Sequence, residues 1–515
     1  MLMHRLLMQG AERAPDKAAF TWVDRGVTST YEQSVDAMEH MAGALTSLGV
    51  CKGDRVTVFA HNGMDYLYAM LGAWRIGAVA ALVNVKFEHD LAYYFADHSP
   101  KVVIYTHDME AAVRAAASLV PSIQHLVCMD GRQSESLSLP DLMSAKLRPA
   151  PDPEDENAIA HLSYTSGTTG RPKGACLAHE PTVRAARCIA ERLRIRANDM
   201  SFGPTALSSS YQLVANLLPP LAQGASIFVM RFWTQTAGWD ALDKARASIV
   251  VGNPTVLQEI HRESVARGRS PEGLRMGLSG GAPVPVSLKK AWRDGLKLPL
   301  VESFGQSELG GFMALGFPEL EPDENKLVRV GPPLPDKDLW ISGPDGERLG
   351  PGATGAIVLR GGCMWGYWGN PVATAKAIRG ADGAELHTGD LGFVDRDGFV
   401  TMRGRQSELL AVNQVTWYAR DVEEALCRQP GVRQAALVGF ADQELGSRPH
   451  AFITVDQTPG TDTIDLVQLK AAIRRELVYD LDPLEISVME ALPMTPTGKI
   501  AKSEIKLSLL ATDRR

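Results

Sequence analysis

Short apolar runs alternating with stretches of helical spacing constrain the first half of this chain more than any other feature. Thr30-Tyr-Glu-Gln33 has the form of a capping box, with the Gln33 side chain able to reach back to the cap. Met38, Met41, Leu45 and Leu48 then recur at helical intervals until Gly49 supplies a stop. Apolar runs follow at 55–60 and 78–83, flanking a helical stretch at 65–76, with further runs at 101–105, 125–129, 225–230 and 248–251. Strands that alternate with helices predict parallel βαβ units and an α/β architecture. At 515 residues the chain is too long for one hydrophobic core, so more than one domain is expected.

The texture changes from Lys326 onward. Glycine and proline become dense (GPPLPDKDLWISGPDGERLGPGATGAIVL) between short alternating strands, which predicts a β-rich subdomain. After Arg405 it changes again, to helix at 420–429, strands at 434–440 and 450–455, helix at 465–478 and strand at 485–489. That pattern predicts a compact α+β unit of ordinary domain size. The expected organisation is a large N-terminal domain of α/β layers with a β-rich subdomain, residues 1–405, and a small C-terminal domain, residues 406–515, joined by a hinge. There is no internal repeat.

Composition removes several functional classes. Hydrophobic residues make up 45% and charged residues 22%, an ordinary balance for a globular enzyme, and a net charge of -7 lacks the basic excess of a nucleic-acid binder. The N-terminus has a short apolar start without a long apolar core or a small-residue cleavage site, so it does not read as a signal peptide. No stretch approaches the ~20 apolar residues of a membrane helix. Cys51, Cys128, Cys176, Cys188, Cys363 and Cys427 are scattered without a CxxC pair, as reduced thiols of a cytoplasmic protein would be.

The most informative segment is Ser-Tyr-Thr-Ser-Gly-Thr-Thr-Gly-Arg-Pro-Lys-Gly at 163–174, directly after an apolar run at 158–162. Gly167, Gly170 and Gly174 permit tight turns that bring backbone N–H groups close to an anion. Thr165, Ser166, Thr168 and Thr169 add hydroxyl donors, and Lys173 adds a positive charge. Such a loop suits a triphosphate, whose oxygens accept many hydrogen bonds and whose charge must be offset. The spacing from Gly170 to Lys173 departs from the G-x-x-x-x-G-K-[ST] phosphate loop.

With this segment the chain resembles the adenylate-forming superfamily of acyl-CoA synthetases, peptide-synthetase adenylation domains and beetle luciferases. Four further segments stand in that family's order: SGGAP at 279–283, ESFGQSE at 302–308, HTGD at 387–390 with Gly404-Arg405, and PTGK at 496–499. The resemblance spans nearly the whole chain. It implies a nucleotide site formed by Thr165, Ser166, Gly167, Thr168, Thr169, Gly170, Gly280, Gly281, Ala282, Pro283, Ser303, Phe304, Gly305, Ser307, Asp390 and Arg405. Within it Phe304 would stack on adenine, Asp390 would accept from the ribose hydroxyls, and Arg405 would assist at ribose or phosphate. Glu308 would hold Mg²⁺, a hard cation that takes a carboxylate together with phosphate oxygens. Lys499 would reach the α-phosphate from the C-terminal domain, so that Lys499, Lys173 and Glu308 form the catalytic set.

The implied reaction fits these groups. Attack of a carboxylate oxygen on the α-phosphorus of ATP expels pyrophosphate and turns a poor leaving group into AMP. Catalysis of such transfers is positioning plus charge neutralisation. The implied function is an ATP-dependent carboxylic acid–CoA ligase, with ATP, Mg²⁺ and coenzyme A as nucleotide, metal and co-substrate. The alternative keeps adenylation and passes the acyl group to a carrier-protein thiol, an amine or an internal nucleophile. The hinge falls at Ser407 by the same resemblance. In the loop after it Asn413 and Gln414 stand where the family carries a glycine pair, and Asn tolerates left-handed backbone better than most residues. The acid is expected near Ser209, Tyr211, Gly305 and Gln306. The segment Thr-Ala-Leu-Ser-Ser-Ser-Tyr at 205–211, continued by Gln212 and Asn216, is more polar than a long fatty chain prefers, which favours a short, polar or aryl acid.

A rival reading comes from Gly277-Leu-Ser-Gly-Gly281, which satisfies the G-x-S-x-G nucleophile elbow and would make Ser279 a nucleophile. An elbow needs a helix directly after the serine, and Pro283 and Pro285 delay one. Nothing in the sequence encodes an oligomeric state, for which a homodimer is the common default.

Overall fold

The computed structural model describes residues 1–131, 135–149, 151–165, 171–380, 383–455, 464–495 and 499–512. Its first helix with a readable start is Tyr31–Ser47. The Gln33 amide donates to Thr30 Oγ1 at 3.2 Å and the Thr30 amide donates to Gln33 Oε1 at 3.0 Å, so the capping box forms as its residues predict. Leu48 closes the helix and Gly49, at φ 75°, lets the chain turn away.

Among the described residues the strands assemble into four sheets. One has the order Leu137–Ser138, His125–Cys128, Val102–Tyr105, Arg55–Phe59, Val79–Leu82, Ile159–Tyr164, Gly174–Ala178. A second has the order Gly311–Leu315, Leu300–Gln306, Met276–Ser279, Ile249–Gly252, Met200–Phe202, Ser226–Val229, Ala18–Trp22, Val27–Thr30. Their central strands pair in parallel and are buried along their whole length. That burial explains why they read as unbroken apolar runs instead of alternating ones. The fold is α/β, as the alternation predicts.

Two departures from parallel order matter for the site. Ile159–Tyr164 turns back on Gly174–Ala178, and Leu300–Gln306 turns back on Gly311–Leu315. Each of these hairpins closes over one of the glycine-punctuated motifs, at residues 165–173 and 307–310.

Antiparallel strands Asp338–Ser342, Gly355–Arg360, Ile378–Arg379, Glu385–Val394 and Val400–Arg405 form the β-rich sheet. From Leu410 onward the chain builds a separate sheet, in which Val432–Asp442 pairs antiparallel with Gly446–Val455 and Glu485–Val488 adds in parallel. This smaller unit has its own core of Trp417, Val422, Leu426, Leu437, Ile453 and Ile473. Strand Gly446–Val455 starts earlier than its apolar residues suggest, because the polar Ser447 and Arg448 pair across the ladder with Ala441 and Phe440. Helix Leu466–Arg474 is shorter than its apolar spacing implies; Asp465 caps it, accepting from Val467 and Gln468. Asn413 and Gln414, between strands Leu410–Val412 and Val415–Trp417, both adopt left-handed backbone, at φ 50° and 63°. The two-residue turn therefore keeps the path a glycine pair would take, at the steric cost of side chains there.

A candidate nucleotide and acid site

Thr165 and Lys173 face each other across the neck of the first hairpin. The Thr165 amide donates to the Lys173 carbonyl at 2.9 Å, and the Lys173 amide approaches Thr165 Oγ1 at 3.4 Å. Between them, Ser166, Gly167, Thr168, Thr169 and Gly170 lie outside the described residues, as do Pro496, Thr497 and Gly498 of the C-terminal motif. The Lys173 ammonium sits over the ring of Tyr367, 4.6 Å from its centre.

Glu308 follows strand Leu300–Gln306 in a short 3₁₀ turn, Ser307–Leu309. The Tyr367 hydroxyl donates to Glu308 Oε1 at 2.6 Å, and the Met364 amide donates to the Glu308 carbonyl at 2.7 Å. Among the described residues the carboxylate has no other hydrogen-bond partner and no ion pair. One half-exposed carboxylate with an oxygen to spare suits Mg²⁺, which keeps several waters and takes its remaining ligands from phosphates. Among the described residues no group of three or more His, Cys, Asp or Glu side chains could form a cage of protein ligands.

Asp390 and Arg405 are cross-strand partners on adjacent strands, and Arg405 Nε lies 2.8 Å from Asp390 Oδ1. Gln306 donates through Nε2 to Asp390 Oδ2 and, at 2.9 Å, to the Thr388 carbonyl. Asp390 is only 2% exposed, and burial pushes its carboxyl up to about 6 against the pull of Arg405, Gln306 and Lys499. Each oxygen already accepts one bond, and each retains a lone pair for a ligand hydroxyl. As pH falls through about 6 the folded protein takes up a proton here and loses that acceptor. Binding of adenosine, which carries no ionising group in this window, is expected to weaken on acidification with a midpoint near that value. Isothermal titration at a series of pH values checks this. The inflection disappears in Asp390→Asn.

Lys499 is half-buried and feels the charges of the same cluster. Burial is the chief cause of a downward shift of its ammonium, with Arg405 adding to it, while Asp390, Glu308 and Glu408 oppose it. Thr495 and Lys499 are bonded to each other on either side of residues 496–498. The Lys499 amide donates to Thr495 Oγ1 at 3.0 Å, and the Thr495 amide donates to the Lys499 carbonyl at 2.7 Å. Lys499 thus lies within electrostatic reach of Glu308, Asp390 and Arg405, and Tyr367 joins Glu308 to Lys173.

The 280 loop leaves the end of strand Met276–Ser279. A Cβ on Gly280 would meet Ser303 Oγ at 2.4 Å and Tyr211 Cε2 at 2.9 Å, so the backbone approach there requires glycine. Gly281, at φ 76°, turns the chain; Ala282 is half-buried and Pro283 exposed. Ser303 donates to the Ser279 carbonyl at 3.0 Å, and Phe304 and Gly305 are half-buried along the same strand. Ser307 meets Ser210 at 3.2 Å, tying this strand to the 205–211 segment. Ser209 caps helix Ser210–Gln212, its Oγ accepting from the Tyr211 amide at 3.3 Å. The Tyr211 ring packs 5.8 Å from Phe312 while its hydroxyl donates to the Leu278 carbonyl at 3.2 Å. A π-helical turn, Leu213–Leu217, follows, before Pro219 and Pro220, which cannot donate the next helical bonds. Gln212 is fully buried, donates to Thr205 and leaves Oε1 without a partner among the described residues. The segment at 208–212 is polar. Ser279, by contrast, is fully buried at a strand end, and the next helix begins only at Val286, so no nucleophile elbow forms.

Spacing along the chain concealed two features. Tyr367 is 59 positions from Glu308, and its only local cue is a glycine before it. Contacts from the C-terminal unit to the large one run through Arg420 to Glu302 at 3.3 Å, Asp421 to Arg403 at 2.6 Å, and Glu424 to the Val286 amide at 2.9 Å.

The AMP-binding enzyme family matches residues 7–368, and the AMP-binding enzyme C-terminal domain matches residues 421–499. A feruloyl-CoA synthase of Amycolatopsis sp is 29% identical over 486 residues, 93% of this chain and 94% of that protein. Among solved structures, an anthranilate CoA ligase, AuaEII, with anthranoyl-AMP superposes with a TM-score of 0.91 at 22% identity over 99% of this chain and 98% of that one. The amide bond synthetase McbA of Marinactinospora thermotolerans gives 0.84 at 26% identity over 98% and 99%. Among the described residues no helix is long and apolar enough to cross a membrane.

Proposed function

Because this chain belongs to the AMP-binding enzyme family, we propose that the cluster around Glu308, Asp390, Arg405 and Lys499 activates a carboxylic acid with ATP. The enzyme is an AMP-forming acid–CoA ligase. The acid's oxygen attacks the α-phosphorus, pyrophosphate leaves, the thiol of coenzyme A then attacks the acyl carbonyl, and AMP leaves. One observation supports the assignment of roles: Lys499, from the far end of the chain, is half-buried within electrostatic reach of Glu308, Asp390 and Arg405 of the large unit.

In this reading Asp390 holds the ribose hydroxyls, with Arg405 and Gln306 fixing its orientation. Thr165, Gly280, Gly281, Ala282, Pro283, Ser303, Phe304, Gly305 and Ser307 line the nucleotide. Lys173 and the adjoining loop meet the phosphates. Mg²⁺ at Glu308 supplies neutralisation of phosphate charge. Lys499 steadies the entering carboxylate and the α-phosphate as charge shifts onto the leaving group. Residues 1–405 form the adenylating body, and residues 406–515 turn about Ser407 between the two half-reactions. The acid is short, polar or aryl and sits against Tyr211 and the Ser209 segment, supported by the polar, π-turned wall at Gln212. The unpaired cysteines fit a cytoplasmic location, and a homodimer is the default assembly.

A screen of ATP–pyrophosphate exchange over short-chain, medium-chain, aryl, hydroxy and betaine-like acids tests the reading. Exchange with at least one acid, and AMP release that depends on CoA, are expected. Exchange with AMP release that ignores CoA favours transfer to an amine or a carrier thiol, the direction in which the likeness to an amide bond synthetase points. No exchange with any acid sinks the assignment.

A further inference from the structure

Tyr367 stands between two charges that have opposite tasks at a nucleotide site. Its hydroxyl donates to Glu308 Oε1 at 2.6 Å, and its ring face carries the Lys173 ammonium 4.6 Å from the centre. Among the described residues Lys173 and Glu308 form no ion pair, although both contact this one side chain. The side chain is itself firmly set. Tyr367 is 9% exposed, its amide donates to Thr374 Oγ1 at 2.9 Å, and its backbone bridges to Ala175, two residues beyond Lys173. The neighbouring Met364 amide holds the Glu308 carbonyl. One short segment therefore fixes both the lysine's strand and the glutamate's turn.

We propose that Tyr367 is a positioning residue and a spacer: it aims the Glu308 carboxylate by a charge-assisted hydrogen bond and keeps the Lys173 ammonium from collapsing onto it. A lysine paired with the glutamate has its charge spent before phosphate arrives, and a glutamate paired with the lysine has lost the oxygen a divalent cation needs. The ring face satisfies the ammonium weakly, and phosphate oxygens displace it readily; the hydroxyl leaves Glu308 Oε2 available. The inference rests on the nucleotide reading above and adds a residue to it.

The test separates the hydroxyl from the ring. Tyr367→Phe keeps the face under Lys173 and removes the donor. In the wild-type, full-length protein with an ATP analogue that cannot be cleaved between the α- and β-phosphates, Mn²⁺ binding is read by electron paramagnetic resonance. The phenylalanine variant is expected to need about 10-fold more Mn²⁺, the worth of one hydrogen bond to a charged group. Its analogue affinity in EDTA stays within about two-fold of wild type, since that affinity does not draw on Glu308. Tyr367→Leu removes the face as well, so Lys173 pairs with Glu308 and metal-free analogue binding weakens by about 10-fold; adding Glu308→Gln restores it. Wild-type Mn²⁺ affinity in the phenylalanine variant, or undiminished metal-free binding in the leucine variant, overturns the proposal. A general loss of packing in the leucine variant is not rescued by Glu308→Gln, and the phenylalanine arm decides independently of it. If the wild-type protein itself retains no Mn²⁺ with nucleotide, the nucleotide reading fails first and the spacer falls with it.

Discussion

Lys499→Ala is expected to cut acid-dependent ATP–pyrophosphate exchange by about 10²–10³-fold, the usual cost of removing one preorganised group that meets charge developing in a transition state. Affinity for ATP, read by titration calorimetry, stays within about three-fold, because Lys173, Asp390 and Arg405 remain to hold the nucleotide. The fold tolerates the change well, since Lys499 is a half-buried cation within reach of the like charge of Arg405, and its removal relieves both desolvation and that repulsion. The same burial shifts the ammonium below the ordinary lysine value of 10.5. The charged form that does the work is present at low pH and is lost as pH rises through that lowered value. The alkaline limb of the exchange profile therefore lies below that of an ordinary lysine, and Lys499→Arg, whose guanidinium does not titrate there, moves it up. Near wild-type exchange by the alanine variant removes Lys499 from the chemistry.

Lys289→Met is expected to destabilise the large unit by about 3–5 kcal/mol, because it breaks a buried ion pair from one side only. Lys289 is 6% exposed; its ammonium donates to the Leu327 carbonyl at 2.7 Å and the Arg329 carbonyl at 3.0 Å and pairs with Glu302. Glu302 is buried, and its other cationic partner is Arg420, 3.3 Å away on the C-terminal unit. Methionine fills the volume but leaves a buried carboxylate short of charge and two carbonyls unpaired. Urea unfolding followed by tryptophan fluorescence is a suitable readout, since Trp292 is fully buried one turn further along the chain. The double variant Lys289→Met with Glu302→Leu recovers part of the loss, because the buried carboxylate goes with its lysine, although Arg420 then loses its partner. A midpoint unchanged in the single variant shows that water reaches Glu302 and that the pair carries little stability. Glu302 directly precedes Ser303 and Phe304, so the single variant also loosens the strand that lines the nucleotide.

The sequence determined by itself whatever is carried by consecutive residues. Thr30 and Gln33 form their reciprocal cap because both groups lie within one helical turn. The buried runs become parallel strands because apolar residues dominate them and the few polar ones find partners, as Thr57 does with His98. Asn413 takes the left-handed turn its side chain tolerates, and the family motifs are legible because each is a run of consecutive residues. The proteins it resembles were legible from the same short segments.

The tertiary structure alone decided what those groups touch. Ser209, read as a wall of the acid pocket, spends its hydroxyl on a helix cap; Gln306, expected to meet substrate, orients Asp390 across 84 positions. Tyr367 joins Glu308 across 59 positions, and Arg420 meets Glu302 across 118. No spacing rule spans such distances, since these contacts form only when whole sheets pack and bring remote side chains within a few ångströms. Burial then sets their charge states: the shifts of Asp390 and Lys499 arise chiefly from water excluded by neighbours that are remote in sequence.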